Sequence, residues 1–195
     1  MGAVTEPKPV KLFAGMLASR PEWFAEAERR LVARFGAVDL ASEVMPFDWT
    51  DYYREEMGEG LRRKFVSFER LIRPDEIVEI KRATNAMEDD LARVFRENGD
   101  RPLSSDTGTV PIFPKRPMNL DPGYLSLSKV VLATTKDYSH RLYLGSGVYA
   151  EVTLHFHKGK YEPWEWTYPD YRTAAYGAFF LDVRRRLTEQ LKEHE

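Results

Sequence analysis

The side chains best suited to chemistry gather in residues 119–171. Lys129 interrupts an otherwise apolar run, and Lys136, His140 and Arg141 follow around the next turn. Cations brought together in this way would hold a phosphate or a carboxylate, because charge-assisted hydrogen bonds are the strong ones. Asp121 ahead of the run and Glu151 beyond it are carboxylates suited to proton transfer. The competing reading is that Lys129 snorkels from a sheet edge and that Lys136-Asp137 is a solvated turn. On that reading Asn119-Leu120-Asp121-Pro122-Gly123 is first of all a turn sequence.

Gly145-Ser146-Gly147 is a hairpin signal whose simplest register sets Leu142 opposite Ala150, Tyr143 opposite Tyr149 and Arg141 opposite Glu151. Val148, Ala150, Val152, Leu154 and Phe156 then face the core. Tyr149, Glu151, Thr153, His155 and His157 share the other face with Arg141. An exposed Arg141–Glu151 pair would contribute under ~1 kcal/mol. His155, His157 and Glu151 have the types of a two-histidine, one-carboxylate metal site. Alternate strand positions are wide for one ion, however, and there is no HExxH spacing, so no metal is assigned. The His-x-Ser/Thr signature of a two-histidine phosphoesterase fails at both His140 and His155.

Trp164, Trp166, Tyr168 and Tyr171 interleave with prolines and acids. Such an aromatic segment either stacks a ligand ring, with Trp166 the contact chosen, or lids the core. The stretch 49–63, with Asp51, Tyr52, Tyr53, Glu55 and Glu56, poses the same choice between ring stacking and lidding the core, and also reads as a mobile flap.

These residues need elements to hold them. Val10–Ala18 reads as a strand, and Ser19 with Glu22 as a capping box opening a helix whose Phe24, Ala27, Leu31 and Phe35 share one face. Residues 38–47 and 64–72 read as strands, and Pro74 opens a second helix striped by Ile77, Ile80, Met87, Leu91 and Phe95. Residues 99–118 carry four prolines and no periodicity, so they read as a long loop. Strands at 124–134, 139–144 and 148–157 follow, then a terminal helix capped by Asp170, with Tyr176, Phe180, Val183, Leu187 and Leu191 in one stripe. The order predicts an α+β fold: a ferredoxin-like (split βαβ) core, its mainly antiparallel sheet extended by a C-terminal hairpin and followed by a C-terminal helix. Helices gathered on one face would leave the other free for a ligand or for a second subunit.

At 195 residues one domain is expected, with residues 1–9 and 192–195 loose. A hydrophobic fraction of 43% and a net charge of -2 describe a folding chain with no general attraction to nucleic acid or to anionic membranes. No apolar run is long enough to span a membrane, and the N-terminus lacks a signal-peptide pattern, so the expected compartment is the cytoplasm. The absence of cysteine excludes disulfides, thiolate metal sites and cysteine nucleophiles. No motif names a cofactor.

The strings NLDPGYLSLSKVVLATTKDYSHR, YLGSGVYAEVTL and WTYPDYR, with KLFAGML near the N-terminus, resemble an uncharacterised prokaryotic domain-of-unknown-function family. Some of its members carry the label GTP-binding protein. The resemblance covers residues 11–184 and implies no catalytic residue. The chain has no GxxxxGK[ST] loop, and its Gly-Ser-Gly sits in a hairpin rather than ahead of a helix. The leading expectation is a domain that binds a small anionic, phosphorylated or nucleotide-like ligand through Lys129, Lys136, His140, Arg141 and Trp166, with Asp121 and Glu151 as acid–base groups. The alternatives are a protein-interaction module using the open sheet face and, third, a metal-dependent hydrolase.

Overall fold

The computed structural model describes residues 2–97 and 114–193. β1 (Val10–Ala18) is buried along its whole length, as a central strand covered on both faces must be. Its Leu12, Ala14 and Met16 pack to one side and Phe13 to the other. α1 (Trp23–Phe35) buries Trp23, Phe24, Ala27, Leu31 and Phe35, and stops at Gly36, whose φ of 100° suits glycine. The expected Ser19 capping box does not form. Trp23 N–H closes onto Arg20 O and Phe24 N–H onto Pro21 O, so the helix begins at Trp23 with Ser19 stranded upstream.

The single strand expected at 38–47 is two short ones, β2 (Val38–Ala41) and β3 (Met45–Pro46), both laid on β4 (Arg62–Ile72). Between β3 and β4 lie a 3-10 turn, Asp51–Tyr53, and α2 (Arg54–Met57). β4 starts before the expected Lys64 and so takes Arg63 into the sheet. α3 (Ile77–Glu97) follows Pro74–Glu76 with the expected stripe, burying Ile77, Ile80, Leu91 and Phe95. Most of the loop expected at 99–118 lies outside the described residues.

The chain resumes in β5 (Met118–Leu125), β6 (Lys129–Thr134), β7 (Leu142–Gly145), β8 (Val148–His157) and β9 (Lys160–Pro163). A 3-10 turn, Pro169–Arg172, leads into α4 (Ala174–Glu193). Thus Asp170 does not cap the last helix, which runs to Glu193. The fold is α+β with an open nine-stranded sheet in the order β2-β4-β1-β5-β6-β8-β7, β3 beside β4 and β9 beside β8, every ladder antiparallel. β4 lies between β1 and β2, so the β1–α1–β2 unit is split by a third strand. α1 and α3 share one face. The other face is not open: α4 covers it, packing Tyr176, Phe180, Val183 and Leu187 on Phe13, Phe65, Val130 and Leu154. A stripe on a helix says that it is buried, not on which face.

Two further departures shape the site. The strand expected at 124–134 is a hairpin of β5 and β6, and Asn119–Gly123 is strand rather than turn. Gly123 is required where it stands, because a Cβ would lie 2.5 Å from Phe13 Cζ and 2.5 Å from Val131 O. The β5–β6 ladder begins only at Gly123↔Leu132, next to Pro122, which has no N–H to extend it. Beyond that point the two strands part. In β8 a bulge inserts Thr153, since Val130 pairs with Leu154 and Val131 with Val152. The expected alternation therefore fails after Val152. Glu151 pairs with Leu132 on the α4 face, while His155, next to Leu154, turns to the opposite one.

Candidate functional site

Gly15 of β1 pairs with Phe65 on one side and with Asp121 on the other. A Cβ there would lie 3.0 Å from Arg63 Nη1. The guanidinium of Arg63 on β4 therefore crosses β1 over the bare glycine, and its Nη1 donates to Asp121 Oδ2 on β5 at 3.1 Å. Its Nη2 stands 3.7 Å from Asp170 Oδ2, and Phe47 and Phe65 flank it at 5.1 and 5.8 Å. Arg63 is 3% exposed, and its Nε–H has no hydrogen-bond partner among the described residues; nor do the buried hydroxyls of Tyr171 and Tyr176.

Burial opposes the charge on Arg63, but Asp121 and Asp170 outweigh it and hold the guanidinium protonated. The two carboxyls respond oppositely. Burial pushes Asp121 up, but Lys81 and Arg63 outweigh it and leave its pKa below the usual value. Burial pushes Asp170 up and prevails over the Arg63 charge. Behind Asp121 runs a chain of polar contacts. Asn119 Nδ2 donates to Asp121 Oδ2 at 2.6 Å, Arg116 donates to Asn119 Oδ1, and Arg116 Nη2 meets Glu88 Oε2 at 2.7 Å.

Across the β5–β6 split stands Glu151, 2% exposed, with Arg141 Nε 2.8 Å and His140 Nε2 3.1 Å from Oε2. The Arg141–Glu151 pair is thus a buried contact rather than the exposed one expected. Arg141 also donates to Lys136 O at 2.9 Å and to the Tyr168 hydroxyl at 2.6 Å, tying the β6–β7 turn to the segment after β9. The roof comes largely from the stretch that reads as a flap: its Trp49, Thr50, Tyr52 and Tyr53, with Phe47 just before it, line a cavity of about 420 Å³ together with Arg63, Asp121 and Glu151. It is anchored rather than loose. Met57 is fully buried against Leu17, Phe47 and Leu61, and Arg116 N–H bonds Glu56 O at 3.0 Å. At the mouth, the Lys136 ammonium contacts the Tyr52 hydroxyl and lies 4.4 Å from the centre of its ring.

Of the residues expected to act together, Asp121, Glu151 and Arg141 line this cavity, and Lys136 touches it through Tyr52. His140 sits behind Glu151, stacked on Trp166 at 5.3 Å. Trp166 lies outside, donating its indole N–H to Val152 O at 3.1 Å. Lys129 is exposed at the far end of β6, paired with His155, and does not join the other cations. Sequence reasoning missed Arg63 and Lys81, and read Asp170 only as a helix cap and Tyr53 only as part of the flap. The one signal for Arg63 was its parity with Phe65 and Ser67, hidden by beginning the strand at Lys64. The His155 and His157 rings are 6.4 Å apart and tilted, and His155 packs on Trp164 at 4.3 Å. Among the described residues no group of three or more His, Asp or Glu is placed to hold a metal ion. Among them, too, no helix is long and apolar enough to cross a membrane.

Fold and site together define an α+β domain with an enclosed cleft at a split in its sheet. The chain belongs to the family described as a domain of unknown function (DUF4416), whose profile spans residues 8–187. Comparison with curated proteins and with solved structures found no match to either.

Proposed function

We propose that the domain binds a small molecule with a flat, polar ring in the cleft between the β5–β6 split and the Trp49–Tyr53 roof. The observation that carries this reading is a cavity of about 420 Å³ lined by aromatic rings, with the buried guanidinium of Arg63 and the carboxylate of Asp121 in its wall. Cavities of this size that combine apolar walls with a few converging polar groups are the usual form of ligand sites. Trp49, Tyr52 and Tyr53 supply ring faces, and Arg63 and Asp121 supply a donor and an acceptor at the ring's edge.

If the ligand is also a substrate, Asp121 is the acid–base group best situated to touch it, held ionised by Lys81 and Arg63. Glu151 already receives Arg141, His140 and Thr153, and its part is to position Arg141.

The test is a thermal-shift and calorimetric survey of neutral heteroaromatic compounds and nucleosides. At least one should raise Tm. Trp49→Ala and Tyr52→Ala, both at exposed positions, should weaken its binding about tenfold, the worth of one ring contact. A survey with no shift, or binding indifferent to both variants, would discard the reading.

A further inference from the structure

We infer that the ligand carries an oxyanion, a carboxylate or a phosphate, held in a second chamber that opens off the first on the α3 side of Asp121. This rests on the ring-binding reading above and names the other half of the same ligand. The second chamber has a volume of about 410 Å³ and shares Asp121, Thr134 and Tyr168 with the first, so the two meet where β5 and β6 part. Their linings differ in kind. Aromatic rings dominate the first, whereas the second is walled by Lys81, Arg116, Thr134, Thr135 and Lys136.

Which charges are already engaged decides what the chamber can take. Two of its three acids are engaged: Asp121 Oδ2 receives Arg63 and Asn119, while Glu88 receives Arg116 on one oxygen and the Leu120 N–H on the other. Asp89 lies on the exposed rim. One cation has no carboxylate partner, and another is paired only at a distance. Lys136 contacts only the hydroxyl and ring of Tyr52 through its ammonium, with no carboxylate at hydrogen-bond distance among the described residues. Lys81, 5% exposed, donates to Leu120 O at 3.1 Å and stands 3.9 Å from Asp121 Oδ1, beyond a hydrogen bond. A buried ammonium with one hydrogen-bond acceptor, a second at the chamber's lip and Thr135 in the lining are donors an oxyanion can use. Thr134 Oγ1 receives Lys136 N–H at 3.2 Å and so holds that turn in place.

Matched compounds test this by titration calorimetry: a nucleoside against its 5′-monophosphate, indole against indole-3-carboxylate, and inorganic phosphate alone. The acid member should bind at least roughly tenfold tighter than its neutral parent, as one charge-assisted hydrogen bond supplies. Lys136→Gln should bring that ratio to within about twofold of unity, while Lys129→Gln, at the far end of the preceding strand and outside the cleft, leaves it unchanged. The preferred pair tells carboxylate from phosphate, and phosphate should bind alone far more weakly than when joined to a ring. Equal affinities within both pairs, or a ratio untouched by Lys136→Gln, would overturn the oxyanion and leave the ring site standing. If no ring compound binds at all, both readings fall.

Discussion

Arg63 and Asp121 meet although their strands are not neighbours. β1 runs between β4 and β5, and the contact forms at 3.1 Å because β1 carries Gly15 at the crossing. One missing side chain thus sets the geometry of the cleft. Gly15→Ala would place a methyl 2.9 Å from Phe65 Cε1 and 3.0 Å from Arg63 Nη1, so both side chains must shift. The expected loss is about 1–3 kcal/mol of unfolding free energy, the usual range for overpacking. Urea denaturation measures it, and any ligand that shifts Tm in the parent should shift it less in the variant.

Gly123→Ala is the harsher change. Its Cβ would lie 2.5 Å from Phe13 Cζ and 2.5 Å from Val131 O. A ring can turn, but the carbonyl belongs to the backbone of the adjoining strand and has no rotamer to use. The loss should exceed about 3 kcal/mol, so that the variant expresses poorly or unfolds at markedly lower urea. A variant with the parent's midpoint would mean that β5 and β6 are not packed this way.

These two glycines also show where sequence reasoning stops. Alternation over β8 and the Gly-Ser-Gly turn were enough to find Val148–His157 and to pair Leu142 with Ala150, because local residues set both. Asp-Pro-Gly reads as a turn by the same local logic. It is a strand because Phe13, more than a hundred positions away, fills the space above Gly123, and no periodicity records a distant neighbour. The Thr153 bulge is equally silent and reverses the face of everything after it. Asp121, Glu151, Arg141 and Lys136 were legible as chemistry, but their assembly around Arg63 was not, since it depends on strand order.

Asp121 and Asp170 pull stability in opposite directions as pH falls. Burial raises the Asp121 carboxyl, but the Lys81 and Arg63 charges outweigh it and leave its pKa below the ordinary 3.8. Its contribution is complete above the unfolded value and is lost as pH falls through the lower folded one. Asp170 is pushed above 3.8, by burial first, and Glu88 above 4.5 for the same reason. For these two the folded protein takes up protons first, so acidification from neutral through their folded values adds stability until the unfolded values are reached. Urea stability should therefore rise in mild acid and drop below pH 3.8. Asp170→Asn should remove part of the rise, and Asp121→Asn should flatten the drop. An unchanged slope in mild acid for Asp170→Asn would refute its raised value.

The Arg141–Glu151 pair should show strong coupling. Both side chains are buried, at 8% and 1% exposure, and Arg141 Nε stands 2.8 Å from Glu151 Oε2. Removing one partner leaves the other charge in a poorly solvated place, so Arg141→Met should cost about 3 kcal/mol. Glu151→Leu should cost a similar amount, because it leaves the guanidinium with only Lys136 O and the Tyr168 hydroxyl. The double variant exchanges two buried charges for two apolar side chains and should cost less than the sum of the singles by at least about 1 kcal/mol. Additive losses would mean that the pair contributes packing alone. The same arginine ties the Lys136 turn to Tyr168, so Arg141→Met should also speed amide exchange around both residues, whereas Glu151→Leu should speed it mainly in β8.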